Sequence, residues 1–222
     1  MFDNIKATEG FKNSISVAVN SGKLSHALIL EGSDDESRFL AATEIASAIM
    51  CEGENRPCGV CSHCLKCSKG IHPDLHIVEK ADDSAMIKVD AIRALKTTAL
   101  LFPNEAKKSV FIIRQANLMN PQAQNALLKI FEEPAKHVCF ILTCESKSSL
   151  LDTVISRATS YTLGESGKIS TEKADSKSAE LAKELVNIYT SGSEFDFLRK
   201  TSAFQKNKTL FKDTVNDIIP IV

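Results

Sequence analysis

The sequence predicts an α/β protein: an open parallel sheet of five strands covered by helices, with a small metal-binding insert and a helical tail. Three observations predict it. Short apolar runs alternate with stretches of helical period over the first 163 residues, five of the seven cysteines crowd between positions 51 and 67, and 43% hydrophobic content over 222 residues suffices for one substantial core.

The elements follow in order. Phe11 to Ser21 has a helical pattern, with Ile15 and Val19 four apart. Residues 26–31 read as a short buried strand running into Gly32, and residues 38–51 as an amphipathic helix. After the cysteine insert, at about 51–70, residues 74–78 form a short strand. A helix over 90–101 uses Ile92 and Leu95 as core positions, with Pro103 just beyond its end. Residues 110–113 are a continuous apolar run of the kind that fills central parallel strands. Asn120 caps and Pro121 opens a helix with Leu127, Leu128 and Phe131 on one face, which Glu133-Pro134 ends. Residues 138–143 and 160–163 complete the strands. Residues 164–177 turn to Gly, Ser, Thr, Lys and Glu and read as a linker, after which 178–222 return to helical period with Leu181, Leu185 and Ile188 on one face.

Charge and hydropathy exclude some functions. A formal net charge of −1 makes no electrostatic case for tight nucleic-acid binding, which needs a basic stripe. The chain has no run of 18 apolar residues and no basic-then-apolar start, so it reads as cytosolic, without a membrane partner.

The turn after the first strand stands where a phosphate loop would sit. Such a loop needs glycines whose neighbouring amides close on phosphates, a lysine for the β/γ oxygens and a hydroxyl for Mg²⁺. Against GxxxxGK[ST], Gly32 keeps the first glycine, but Ser37 replaces the second, Arg38 the lysine and Phe39 the hydroxyl. Asp34, Asp35 and Glu36 would repel a triphosphate. No ATP is expected here. The strand at 110–113 departs in the same direction: where a P-loop ATPase has Mg²⁺-binding acids, Arg114 and Gln115 follow. The plainer alternative is a strand that never served a nucleotide.

Cysteine spacing points to a metal. The run Cys51-x6-Cys58-x2-Cys61-x2-Cys64-x2-Cys67 repeats the CxxC step that brings two thiolates to one ion, and Pro57, Gly59 and Gly70 supply turns. Four thiolates close a tetrahedral structural zinc site, with Cys51, Cys58, Cys61 and Cys64 as first-choice ligands and Cys67 as substitute or bystander. Redox CxxC chemistry and a metal-free loop are the alternatives, with His63 and His72 read as solvated loop residues.

Several motifs in order resemble the AAA+ clamp-loader subunits of bacterial DNA polymerase III. The run Asn125-Ala-Leu-Leu-Lys-Ile-Phe-Glu-Glu-Pro134, then Phe140-Ile-Leu-Thr143, then Leu150-Leu-Asp-Thr-Val-Ile-Ser-Arg157, is similar to that family's NALLKxxEEP, FxLxT and LxxTIxSRC signatures. Phe2-Asp-Asn-Ile-Lys, Gly22-Lys-Leu-Ser-His-Ala27 and the four-cysteine insert fit as well. The resemblance covers residues 1–163 and implies an AAA+-like domain there, with 178–222 as part of a lid or collar domain. It implies a noncatalytic subunit whose Arg157, beside Ser156, reaches in trans toward ATP on a neighbouring subunit. The implied partners are the clamp-loader ATPase subunits and, through the assembly, the sliding clamp and primed DNA. Ala158 departs from the family's cysteine.

Plainer readings stand beside these. Arg157 could cap the preceding helix, Thr143 could satisfy backbone rather than sense a phosphate, and Lys107 and Lys108 could be a solvated turn. For the whole chain, the alternatives are a self-sufficient P-loop ATPase and a zinc-dependent nucleic-acid-binding module.

Overall fold

The computed structural model describes residues 2, 4–81 and 84–164. The expected linker at 164–177, apart from Gly164, and the expected helical segment at 178–222 lie outside the described residues.

All five expected strands form: β1 (Ala27–Glu31), β2 (Leu75–Val78), β3 (Ser109–Ile113), β4 (Val138–Cys144) and β5 (Thr159–Thr162). They make one parallel sheet in the order β2-β3-β4-β1-β5. The α-helices among the described residues are α1 (Glu9–Asn20), α2 (Asp35–Met50), α3 (Ser62–Ser68), α4 (Val89–Ala99), α5 (Pro121–Glu132) and the short α6 (Asp152–Ile155). β3 and β4 are buried throughout, because helices cover both faces of the sheet. Alternate residues serve opposite faces. Leu28, Leu30, Val110 and Ile112 pack in the core with Phe11 and Ile15 of α1 and Ile45 of α2. Ala27, Ile29, Phe111 and Ile113 pack with Ile92 and Leu95 of α4 and with Leu127 and Phe131 of α5.

The second helix differs from expectation in two ways. It starts at Asp35 rather than 38, because Asp34 is its N-cap: the carboxylate accepts the Ser37 amide at 2.9 Å and the Ser37 hydroxyl at 2.7 Å. Those contacts, hydroxyl first, lower the Asp34 carboxyl to about 2. Asp35 and Glu36 then occupy a first turn whose dipole favours anions. Nor is the helix amphipathic. Ser37, Arg38, Ala42, Ile45, Ser47 and Met50 are all buried and span most of its circumference, since the sheet covers one side and α1 and α3 others. α4 also stops two residues early, leaving Leu100 as its C-cap and Leu101 beyond it.

Asn120 caps α5 as expected, accepting the Ala123 amide at 2.8 Å, with Pro121 in the first turn. β1, β3 and β4 lie side by side, so their carboxyl ends bring together Gly32, Arg114 and Thr143. Parallel α/β sheets place ligands at that edge.

Candidate functional site

The turn at the end of β1 is built around a buried arginine. Gly32 takes φ +82°, where only glycine is unstrained, and Ser33 follows at φ 60°. The reversal turns the carbonyls of Gly32 and Ser33 toward Arg38, whose side chain is only 2% exposed and whose Nη1 donates to both, at 3.3 Å to Gly32. A phosphate cradle works by aiming amide donors at an anion. Here two carbonyl acceptors face a guanidinium already inside the turn.

Arg114, directly after β3, closes the outer side. Its Nε and Nη2 donate to Asp35 Oδ2 at 2.9 and 2.6 Å, Nη2 also meets Glu36, and Glu79 is 3.8 Å from Nη1. Burial opposes its charge, but Asp35 and Glu36 outweigh that and raise its pKa further. The guanidinium carbon lies 4.5 Å from the centre of the Phe39 ring, a cation–π stack. Two of the expected departures are thus in direct contact: Phe39 in the hydroxyl position supports Arg114, which stands in the acid position. The three acids are not left unpaired: Asp34 caps α2, while Asp35 and Glu36 are paired with Arg114. The set keeps four carboxylates against two guanidinium groups, so it remains unfavourable to a polyphosphate. Thr143 is fully buried and its hydroxyl accepts the amide of Gln115 at 3.0 Å, which matches the backbone-satisfying reading.

Cys51, Cys58, Cys61 and Cys64 converge, with all four sulfurs within 4.8 Å of one another. Cys58 and Cys64 are 4.0 Å apart and Cys51 and Cys61 3.9 Å, close to the roughly 3.8 Å edge of a tetrahedron with metal–sulfur bonds of about 2.3 Å. Local structure aims them. Cys51 ends α2, and Cys61 is the N-cap of α3, accepting the Cys64 amide at 3.5 Å. Amides of Gly53 and Cys58 point at Cys51 at 3.3 and 3.4 Å, and the Cys61 amide at Cys58 at 3.4 Å, all favouring thiolates. The amides of Val60 and Cys61 bring the Cys58 thiol down to about 6, whereas burial pushes Cys51 up to about 12. The cluster could hold a metal ion, and binding would release protons from the weaker acids among the four. Cys67 is outside it, packed in the apolar core at 2% exposure, so it is the bystander.

His63 and His72 correct the expectation of solvated loop residues. They are 5% and 4% exposed, and His63 Nδ1 lies 2.8 Å from His72 Nε2. His72 Nδ1 accepts the amide of Asp74 at 3.0 Å. Asp74, 1% exposed, accepts amides from Asn104, Glu105 and Ala106, the last two at 2.8 and 2.7 Å. Burial works against its ionisation, but these amides prevail and hold its carboxyl below the usual range. A carboxyl depressed in the folded state stabilises above its unfolded pKa of about 3.9 and ceases to do so as pH falls through the folded value. Asp74→Asn is therefore expected to cost about 2 kcal/mol at neutral pH. In urea titrations the gap between parent and variant should be constant above about pH 5 and close on acidification below about pH 4; a pH-independent gap would show that the carboxylate charge is not what the loop amides bind.

Arg157 stands apart from both clusters. It follows α6 and its C-cap Ser156, with the side chain 38% exposed. Nη1 donates to the Thr153 carbonyl at 3.2 Å, the contact of a helix-capping arginine, and Nη2 to Glu132 Oε1 at 3.3 Å. Two of its five N–H groups are used in this way, leaving three for another acceptor. Lys107 is exposed and Lys108 half-buried in the turn before β3, in keeping with a solvated turn. The role of Arg114, the histidine pair and the Glu132 contact went unread in the sequence. An arginine closing an apolar strand, in a chain whose helix start carries paired acids, was the available signal for the first.

Comparison with known proteins follows the same lines. The profile of the family described as DNA polymerase III, delta subunit matches residues 7–166. The DNA polymerase III subunit delta' of Bacillus subtilis is 38% identical over 141 residues, 63% of this chain and 42% of that protein. The gamma/tau subunit of Mycobacterium tuberculosis is 30% identical over 162 residues, 72% of this chain and 28% of that one. The chain thus spans less than half the length of these relatives. Among solved structures, a gamma subunit-related protein of Thermotoga maritima aligns with a TM-score of 0.53 at 18% identity, over 92% of this chain and 57% of that one, which concerns the fold alone. With the profile matching most of the chain, and a five-stranded parallel sheet carrying the four-cysteine insert, the chain belongs to the delta-prime family of DNA polymerase III clamp-loader subunits.

Proposed function

We propose that this chain is a non-hydrolysing subunit of the DNA polymerase III clamp loader. It assembles in the cytoplasm with the ATPase subunits, lends Arg157 in trans to ATP bound by a neighbour, and helps the assembly place the sliding clamp on primed DNA. Cys51, Cys58, Cys61 and Cys64 hold a structural zinc that staples an insert too small for a core of its own. No described helix is long and apolar enough to cross a membrane.

One observation carries the reading: Arg38, buried and donating to the carbonyls of Gly32 and Ser33, occupies the turn that a triphosphate would need. Seating a nucleotide would require expelling that guanidinium and separating Arg114 from Asp35 and Glu36. The same observation weighs against a self-sufficient ATPase. Titration of the full chain with fluorescent ATP and Mg²⁺ is expected to show no saturation through the micromolar range. Saturable binding with Mg²⁺-dependent turnover would establish an engine instead of a helper. Salt-dependent binding of DNA by the isolated chain would favour the zinc-dependent nucleic-acid module.

A further inference from the structure

The buried histidines lie between two parts of the molecule that are distant in sequence. On one side is α3, which carries His63 between the cluster cysteines Cys61 and Cys64. On the other is the segment after α4, residues 100–106, where Leu100, Leu101 and Phe102 are 69%, 63% and 83% exposed and Asn104, Glu105 and Ala106 give their amides to Asp74.

One backbone amide orders the whole connection. Because Asp74 N–H donates to His72 Nδ1, that nitrogen carries a lone pair and the proton of neutral His72 sits on Nε2. Nε2–H then donates to His63 Nδ1 at 2.8 Å, which leaves the His63 proton on Nε2, directed toward Glu52 Oε1 at 3.6 Å. Burial lowers the His72 pKa, in keeping with the neutral form. The assignment also decides the chemistry of the group His63, His72 and Glu105, whose residue types would suit a second metal. A metal on His72 Nε2 would require the proton on Nδ1, where the Asp74 N–H already points, and Lys66 already pairs with Glu105. The cluster is a hydrogen-bonded link. It runs from α3 through His63, His72 and Asp74 to the amides at 104–106, and the Lys66–Glu105 ion pair ties the same two parts at the surface.

We infer that His63 and His72 are positioning residues through which the metal-loaded insert holds residues 100–106 in one conformation. The inference rests on Cys51, Cys58, Cys61 and Cys64 being zinc ligands. α3 has only seven residues and frays easily without its staple. When the metal leaves, His63 loses its fixed place, His72 loses its acceptor, and the Asp74 cap on the loop amides loosens while the sheet stays folded.

Hydrogen exchange of the full chain, read by mass spectrometry on peptides covering residues 100–106 and, as reference, 138–144, tests this. Four samples are compared: zinc-loaded parent, chelated parent, and His72→Phe and His72→Gln with zinc content measured. Chelation and His72→Phe are each expected to speed exchange at 104–106 by about tenfold or more and leave 138–144 unchanged. His72→Gln, able to accept from Asp74 and donate to His63, should return most of the protection. A zinc-loaded His72→Phe that exchanges like the parent overturns the inference alone, as does chelation that loosens 138–144 as much as the loop. A parent that binds no zinc overturns the zinc assignment and the inference with it. Should phenylalanine at 72 prevent folding, the chelation arm decides.

Discussion

If Arg157 acts in trans as proposed, the chain should stimulate ATP turnover by a clamp-loader ATPase subunit, and Arg157→Ala is expected to abolish that stimulation while leaving the assembly intact. Arginines that stabilise transferring phosphoryl groups in trans are worth roughly 10³–10⁵ in rate, so the stimulated component should fall to the basal level of the partner. The fold should not notice. Arg157 is 38% exposed and its two contacts, to Thr153 O and Glu132, are surface interactions worth about 0.2–1 kcal/mol. Melting temperature and co-elution with the partner should therefore be unchanged, which separates a chemical loss from a structural one. Arg157→Lys should also lose most of the stimulation, because an ammonium cannot replace a planar two-pronged donor. If the alanine variant stimulates like the parent, Arg157 is a helix cap and no more.

The second large effect concerns the cysteine cluster. The parent is expected to carry one zinc per chain by elemental analysis, and Cys58→Ser or Cys61→Ser to lose it. Structural zinc in small modules binds with roughly 10–16 kcal/mol of apparent free energy. Only part of that reaches the global fold here, since α3 also packs on α2 and Cys67 remains anchored in the core. A destabilisation of several kcal/mol, of order 3–5, is expected in chemical denaturation. Cys67→Ser is the control: it sits three residues from Cys64 in the same short helix but outside the sulfur cluster, so the zinc should stay. Loss of metal from Cys67→Ser with retention in Cys58→Ser would reassign the ligands.

Much of this is legible in the sequence. All five strands lie within one or two residues of where the sequence puts them; the apolar runs of β1, β3 and β4 mark strands enclosed by helices, which leave no alternation to misread, whereas β2 and β5 are partly exposed sheet edges. Asn120-Pro121 marked the start of α5 because capping is local. The CxxC spacing named the four converging sulfurs but could not dismiss Cys67, whose exclusion depends on which face of α3 meets the core. The sequence pattern alone puts the start of α2 three residues late, because Asp34 is an N-cap as well as a charge.

What the sequence by itself determined is the order of elements, the parallel sheet, the four cysteines that converge and the departure of the turn after β1 from the GxxxxGK[ST] pattern, all of which follow from spacings of a few positions along the chain. Tertiary structure alone decided where the charges go. Arg114 meets Asp35 from 79 residues away, Asp74 collects amides some 30 residues on, and two histidines nine apart close on each other. Such pairings depend on which strands become neighbours, and an arginine turned inward to its own carbonyls is indistinguishable in sequence from one waiting for a phosphate.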